Sequence, residues 1–375
     1  MDVGHCETAV PDPEKTGRSE LMRALVLEEW WKLVVTDLPD PVVGEDEVLL
    51  EILATGICGS DIHGYTGDNG RRAPGQVMGH ETVGRVLARG GSLARDEGPA
   101  VGAVVTVNPV IGCGRCERCR AGQEQACPDR AVIGVTPSLR SAFAERMVAP
   151  ARNVVELPDG TPPEHGALVE PLAVGLHAVR RGGIGAGDTV LVIGGGPVGQ
   201  ACVLAAQREG ARLVAVSEPN ASRRALNEAL GAHTVDPTSE TDVPAAVRTL
   251  LDGAPSVVID AVGVDASIET AFACAGLMSP VVLVGMGRPS LQLSAFEVST
   301  KERSLIGSFC YSSSEFRETA AWAGTQPEKL SLLVEGRVDL VDGAAAFDEL
   351  ARATTDASKV LVFPNGVVLP DRLDA

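Results

Sequence analysis

The run TVLVIGGGPVGQACVLAAQREG, residues 189–210, constrains the fold of this chain more than any other stretch. A strand-forming run passes into a glycine-rich turn, and the turn passes into a segment of helical length and composition. Gly194, Gly196 and Gly199 stand at the G-x-G-x-x-G spacing of a dinucleotide-binding turn, with Pro197 and Val198 inside it. The first glycine permits the tight turn, the second lets backbone N–H groups approach a pyrophosphate, and the third lets helix and strand pack closely; the helix N-terminus favours negative charge. A glycine turn in an ordinary βαβ unit is the competing reading. Context weighs against it, because the next strand-like run, RLVAVSE, ends on Glu218, an acidic residue placed to accept hydrogen bonds from the adenosine ribose. A 2'-phosphate there would meet that carboxylate, which favours NAD over NADP, with Arg223 and Arg224 as the opposing feature.

The same rhythm continues on both sides of this unit. RLVAVSE, SVVIDAVG and PVVLVGMG alternate with helical stretches such as ASRRALNEALG and SIETAFACAG, which predicts a parallel sheet with crossover helices. Upstream, RALVL, EVLLEILATG, ETVGRVLA and AVVTVNPV are short runs separated by Gly, Pro and Asp, the pattern of a mostly antiparallel β region. Two helical segments, EFRETAAWAG and AAAFDELARA, and a last strand, KVLVFP, are expected to return to that first region. A chain of 375 residues exceeds what one core usually serves. The expected division is a loose arm at 1–21, a β-rich unit at 22–174 and 312–375, and an α/β nucleotide domain at 175–311.

Charge and cysteine usage narrow the function. A formal net charge of -18 opposes nucleic acid or anionic lipid as main partner and favours a small neutral or cationic substrate. Nothing in MDVGHCETAVPDPEKTGRSE resembles a secretory signal and no run reads as a membrane span, so the cytoplasm is the expected compartment. Nine cysteines in a reducing compartment point to metal more than to disulfides.

Four of them, Cys113, Cys116, Cys119 and Cys127, lie in CGRCERCRAGQEQAC, a spacing at which four thiolates can close around one structural zinc in a lobe at about 108–130. Two disulfides and an iron–sulfur cluster are the alternatives. A catalytic zinc needs about three protein ligands and an open position, and the candidates are Cys58 in GICGSDIHGYTG, His80 and Glu81 in GHE, and Glu170 in LVEPLAVGLHA. Singly, Cys58 is more often a buried thiol and His80 a satisfied loop histidine. Ser60 could take a substrate proton, His63 could pass it to solvent, and Asp61 could accept the other N–H of His80; equally, Ser60 and Asp61 could cap a helix and His63 could be a surface residue.

Together, GICGSDIH, GHE, the four-cysteine lobe, EPLAVGLHA, GGGPVG and Glu218 resemble, from about Met22 to Pro364, a zinc-containing medium-chain alcohol dehydrogenase. The resemblance implies a GroES-like, mostly β catalytic domain beside a Rossmann doubly wound sheet, with two zinc ions per chain and NAD. Alcohol dehydrogenases hold the catalytic zinc with two cysteines and a histidine; here Glu170 replaces the second cysteine, a pattern similar to the sorbitol, threonine and 2,3-butanediol dehydrogenase branch. By that likeness Cys58 and His80 hold the metal with Glu81 and Glu170 as carboxylate ligands, or with one of them on its water. It also implies backbone contacts from near Val284, Gly285 and Ser308 to the nicotinamide, and Lys359 facing the pyrophosphate. The expected reaction is hydride transfer between a secondary alcohol and NAD, the substrate being a polyol, vicinal diol, cyclitol or amino-alcohol. A ketone reductase and a non-catalytic NAD-binding scaffold are the alternatives. Relatives are commonly dimers or tetramers, with PVVLVGMG a candidate for pairing across the interface. Tyr65, Trp322 and the residues around Phe309 are candidates for the pocket lining. His5, His165, His177, His233, Cys6, Cys202, Cys274 and Cys310 receive no role.

Overall fold

Strict alternation builds the first sheet. In EVLLEILATG, the strand Glu47–Gly56, Val48, Leu50, Ile52 and Ala54 are fully buried while the residues between them reach the surface in part. The structure, a computed structural model, describes residues 21–68, 70–94 and 97–367. Around Glu47–Gly56 it places a seven-stranded sheet in the order Gly336–Asp339, Val360–Phe363, Glu47–Gly56, Glu81–Arg89, Val104–Val107 and Val154–Glu156, with Arg146–Pro150 also paired to Glu47–Gly56. The return of the chain end is direct: Leu361 and Val362 pair antiparallel with Gly56 and Thr55. A hairpin of Leu21–Glu29 and Lys32–Pro39 packs its Met22, Leu25 and Leu27 into the same half. The expected arm lies outside the described residues except for Leu21, which already opens that hairpin.

The second sheet is parallel and six-stranded, in the order His233–Val235, Leu213–Ser217, Thr189–Ile193, Val257–Asp260, Pro280–Leu283 and Ser304–Gly307. All five residues of TVLVI are buried, as a strand covered on both faces requires. Helices Val169–Arg181 and Pro197–Arg208 cover one face, and Val243–Leu250 and Asp265–Cys274 the other. Strand order reverses between Thr189–Ile193 and Val257–Asp260, so a crevice opens at the carboxyl ends of these two strands, where open α/β sheets bind ligands. The strand within PVVLVGMG, Pro280–Leu283, is interior. The two outer strands are His233–Val235 and Ser304–Gly307, and the sequence of the second, SLIG, is too short and too exposed to announce itself as a strand.

Among the described residues no helix is long and apolar enough to cross a membrane.

Candidate active site and metal centres

GICGSDIH leaves the first sheet at Gly56, where a Cβ would stand 2.1 Å from Glu81 Oε2, so a larger residue here would displace that carboxylate. Cys58 is the N-cap of the helix Gly59–Thr66. Asp61 is fully buried in the first turn and does two things at once. Its Oδ2 accepts the Cys58 N–H at 3.3 Å, as a cap does, while Oδ1 lies 3.4 Å from His80 Nδ1. The nearer partner of Oδ1 is Arg72, whose Nη2 donates at 3.0 Å from a side chain 1% exposed. Sequence reasoning passed over Arg72. Its signal was Gly64, where a Cβ would meet the Arg72 Cγ at 2.3 Å, but that pairing appears only in three dimensions. Burial alone would raise the Asp61 carboxyl, yet His80 and Arg72 hold it below its ordinary value.

His80 follows Gly79, whose φ of +103° is a glycine conformation. The other ring nitrogen of His80, Nε2, lies 3.5 Å from Ser60 Oγ. Burial opposes the imidazolium, but the charges of Asp61 and Cys58 raise its pKa well above the usual value. The donor atoms of Cys58, His80 and Glu81 all lie within 4.8 Å of one another. Glu81 is 1% exposed, and Lys359 Nζ donates to its Oε2 at 2.5 Å and to the Ile57 carbonyl at 3.4 Å. Lys359, expected to face the pyrophosphate, here turns its ammonium inward to Glu81, because a buried carboxylate needs a counter-charge. Glu170, in the first turn of Val169–Arg181, is outside the three-donor set but within electrostatic reach of His80, Glu81 and Lys359. Burial pushes it up to about 7, and Tyr311, fully buried, donates its hydroxyl to Oε1 at 2.8 Å. His63 is exposed in the last turn of its helix.

The four-cysteine lobe carries little regular structure. Its four sulfur atoms lie within 4.8 Å of one another, with Cys113 and Cys119 at 4.0 Å, and all eight described cysteines are free, which removes the disulfide alternative. Amides of Arg115 and Cys116 point at the Cys113 sulfur and bring its pKa down to about 6, whereas burial and the neighbouring sulfurs push Cys119 up to about 12, so Cys113 is the thiol of the lobe most ready to ionise.

At the nucleotide turn, Gly194 has φ +92° and a Cβ on Gly199 would stand 1.9 Å from the Gly194 carbonyl, whereas a Cβ on Gly196 would enter open space. Pro197 and Val198 begin the helix Pro197–Arg208. Glu218 is buried, accepting from the Gly195 N–H at 2.7 Å and the Asn220 N–H at 2.9 Å. Arg224 is committed to the Glu218 and Pro219 carbonyls and to Asp236, while the Arg223 Nε is buried without a partner among the described residues. The Val284 and Gly285 N–H groups donate to the Asp260 carbonyl, and Ser308 Oγ is likewise buried and unpartnered. Two of the pocket candidates are elsewhere. Tyr65 is 3% exposed between Trp31 and Phe347 with its hydroxyl on the Trp31 carbonyl, and Trp322 lies beneath Arg208. The unassigned His177 and His165 are held by Glu315 at 2.9 Å and Ser331 at 3.2 Å.

The two halves meet at this site. Gln200, on the nucleotide helix, donates to Ser358 Oγ at 3.1 Å, and the next residue, Lys359, is the one on Glu81. A parallel nucleotide fold joined in this way to a β unit with two metal-competent donor clusters defines a metal- and dinucleotide-dependent oxidoreductase. The alcohol dehydrogenase GroES-like domain family matches residues 44–159, and the zinc-binding dehydrogenase family matches residues 197–325. Sorbitol dehydrogenase of Bacillus subtilis is 30% identical over 92% of this chain and 98% of its own length. The 2-dehydro-3-deoxy-L-galactonate 5-dehydrogenase of Pseudoalteromonas atlantica is 36% identical over 81% of this chain and 85% of its own. A zinc-binding dehydrogenase of Sinorhizobium meliloti, solved with NADP, superposes with a TM-score of 0.84 at 33% identity, covering 92% of this chain and all of that one. The chain belongs to the zinc-containing medium-chain alcohol dehydrogenase family.

Proposed function

We propose that this enzyme transfers hydride between a secondary alcohol, a polyol, vicinal diol, cyclitol or amino-alcohol, and NAD. The observation that carries it is the convergence of Cys58, His80 and Glu81 donors within 4.8 Å, tied through Lys359 and Ser358 to the nucleotide helix. The sulfur, nitrogen and oxygen set suits zinc. Cys58, His80 and Glu81 would hold it, Glu81 through the oxygen that Lys359 leaves free, and Glu170 stands beside them for a water or a fourth contact. Zinc there supplies a Lewis acid that lowers the pKa of the substrate hydroxyl. Asp61, fixed by Arg72, orients the His80 ring. Ser60 takes the hydroxyl proton and exposed His63 passes it to solvent. The four lobe cysteines would hold a second, structural zinc.

Gly194, Gly196, Pro197, Val198 and Gly199 would receive the pyrophosphate, Glu218 the ribose, and the backbone near Val284 and Ser308 the nicotinamide. Glu218 supports NAD, and Arg224 supports it too, since its guanidinium is already engaged; Arg223 remains the residue through which NADP could enter. The eight cysteines among the described residues, all free, fit a reducing compartment, the cytoplasm. A ketone reductase uses the same site in reverse, and comparing rates in both directions at neutral pH separates the two.

Reduction of NAD and NADP by zinc-loaded protein across polyols, cyclitols, vicinal diols, amino-alcohols and primary alcohols tests this reading. Turnover of one secondary-alcohol group, lost on chelation and restored by zinc, is expected. Turnover of primary alcohols alone would overturn it, and a single zinc per chain would favour the non-catalytic scaffold.

A further inference from the structure

We propose that the four-cysteine lobe is a positioning device for the active site, and that its Glu124 and Arg130 hold Tyr311 against Glu170. The consequence for turnover rests on the dehydrogenase reading above; the hold itself does not.

Tyr311 stands on a strained segment. The residue before it, Cys310, is a non-glycine residue at φ +49°, a backbone state that persists only where neighbours fix it. Two contacts from the lobe flank the tyrosine, one on Phe309 and one on Ser313. Arg130 places its guanidinium 5.0 Å over the Phe309 ring, and Glu124 Oε2 accepts the Ser313 N–H at 3.3 Å. Ser313 opens the helix Ser313–Ala323, so its N–H has no partner within the helix, and a carboxylate there also meets the positive end of the helix dipole. Asn108, at the edge of the lobe, donates to the Ser313 hydroxyl at 3.4 Å. On the inner side the Tyr311 ring packs 5.4 Å from that of Phe316 in the same helix, and its hydroxyl reaches Glu170 Oε1 at 2.8 Å. Where the helix begins therefore fixes where the tyrosine hydroxyl points.

The same two lobe residues bracket Cys127, the buried member of the four cysteines. The Cys127 N–H donates to the Glu124 carbonyl at 3.0 Å. Its own carbonyl accepts from Arg130 twice, from the backbone N–H at 3.3 Å and from Nη1 at 3.2 Å. Its sulfur accepts the Cys113 N–H at 3.4 Å. Whatever gathers the four sulfurs thus sets the backbone of Cys127, and with it the two side chains that reach the segment of Tyr311.

Amide hydrogen exchange of the zinc-loaded chain, read by mass spectrometry, tests the hold. In the double variant Glu124→Ala, Arg130→Ala, exchange in residues 309–316 is expected to quicken about tenfold, with the strand Thr189–Ile193 unchanged. Exchange unchanged in that segment, or quickened equally in the parallel sheet, overturns the hold. Should the double variant lose the zinc of the lobe, Ser313→Pro decides alone. It leaves the lobe untouched and removes the N–H that Glu124 accepts, at a first helical position where proline is tolerated, and it too should quicken exchange in this segment. Turnover is read separately. The double variant is expected to lower kcat about tenfold at unchanged KM for NAD, and to lower it by less than about twofold further when Tyr311→Phe is already present. Losses that multiply would show that the lobe acts on something other than Tyr311 and overturn the proposal. An exchange difference in a protein that oxidises no alcohol sustains the hold and removes the dehydrogenase reading; turnover without an exchange difference does the reverse.

Discussion

Asp61 and Arg72 show how one buried residue pair can govern a site without touching a substrate. The Asp61 carboxylate is fully buried, and Arg72 is the nearer of its two cationic partners. Removing one side of such a pair leaves an uncompensated charge in a poorly polarisable interior, which costs more than the pair contributes when intact. Arg72→Ala is therefore expected to lower the unfolding free energy by about 3–5 kcal/mol, and Arg72→Lys by less. Urea unfolding of the zinc-loaded protein measures it, and a loss below about 1 kcal/mol would show that Asp61 is satisfied by His80 and the cap alone. At this scale the ligand candidates Cys58, His80, Glu81 and Glu170 were legible because metal donors belong to few residue types. Arg72, Tyr311 and the inward turn of Lys359 were not, because a hydrogen bond across 141 positions, such as Tyr311 to Glu170, leaves no local pattern.

Helices Val169–Arg181 and Ser313–Ala323 are joined by His177 and Arg180 on the first and Glu315 and Glu318 on the second. The joint matters because the first helix carries Glu170. Burial would raise Glu315, but the hydrogen bonds from His177 and the Ser312 amide bring it down to about 2. A carboxylate with a depressed pKa stabilises the fold above its ordinary value of 4.5 and loses that contribution as pH falls toward 2. Glu315→Gln is expected to cost about 2–3 kcal/mol at pH 7, with the difference from wild type closing between pH 4.5 and 2. Urea midpoints taken across that range check it; a difference that stays constant with pH would show that the charge of Glu315 is not what joins the helices. Among elements, the runs TVLVI, RLVAVS, VVID and PVVL were readable as strands because buried strands are continuously apolar. HTV and SLIG were not, since two short, partly exposed runs become strands only when a neighbour supplies their hydrogen bonds.

For the whole molecule, the outer strand Ser304–Gly307 leaves one side of its backbone unpaired within the sheet, with Leu305 41% exposed and Phe296 nearby in the chain 78% exposed. Such an edge is a template for pairing with a second copy. We expect a dimer or tetramer by light scattering and dissociation in Leu305→Glu; a wild-type monomer would overturn this. The sequence by itself determined the two-part architecture, the glycine turn at 194–199, the four-cysteine lobe and the candidates for metal donors, because backbone conformation, strand burial and donor chemistry each demand particular residues at fixed local spacing. Tertiary structure alone decided that Lys359 neutralises Glu81, that Tyr311 holds Glu170, that Arg72 fixes Asp61, and which strands form the outer edges. Those outcomes depend on which distant segments share a low-dielectric interior, where each buried charge must find its partner regardless of its place in the chain.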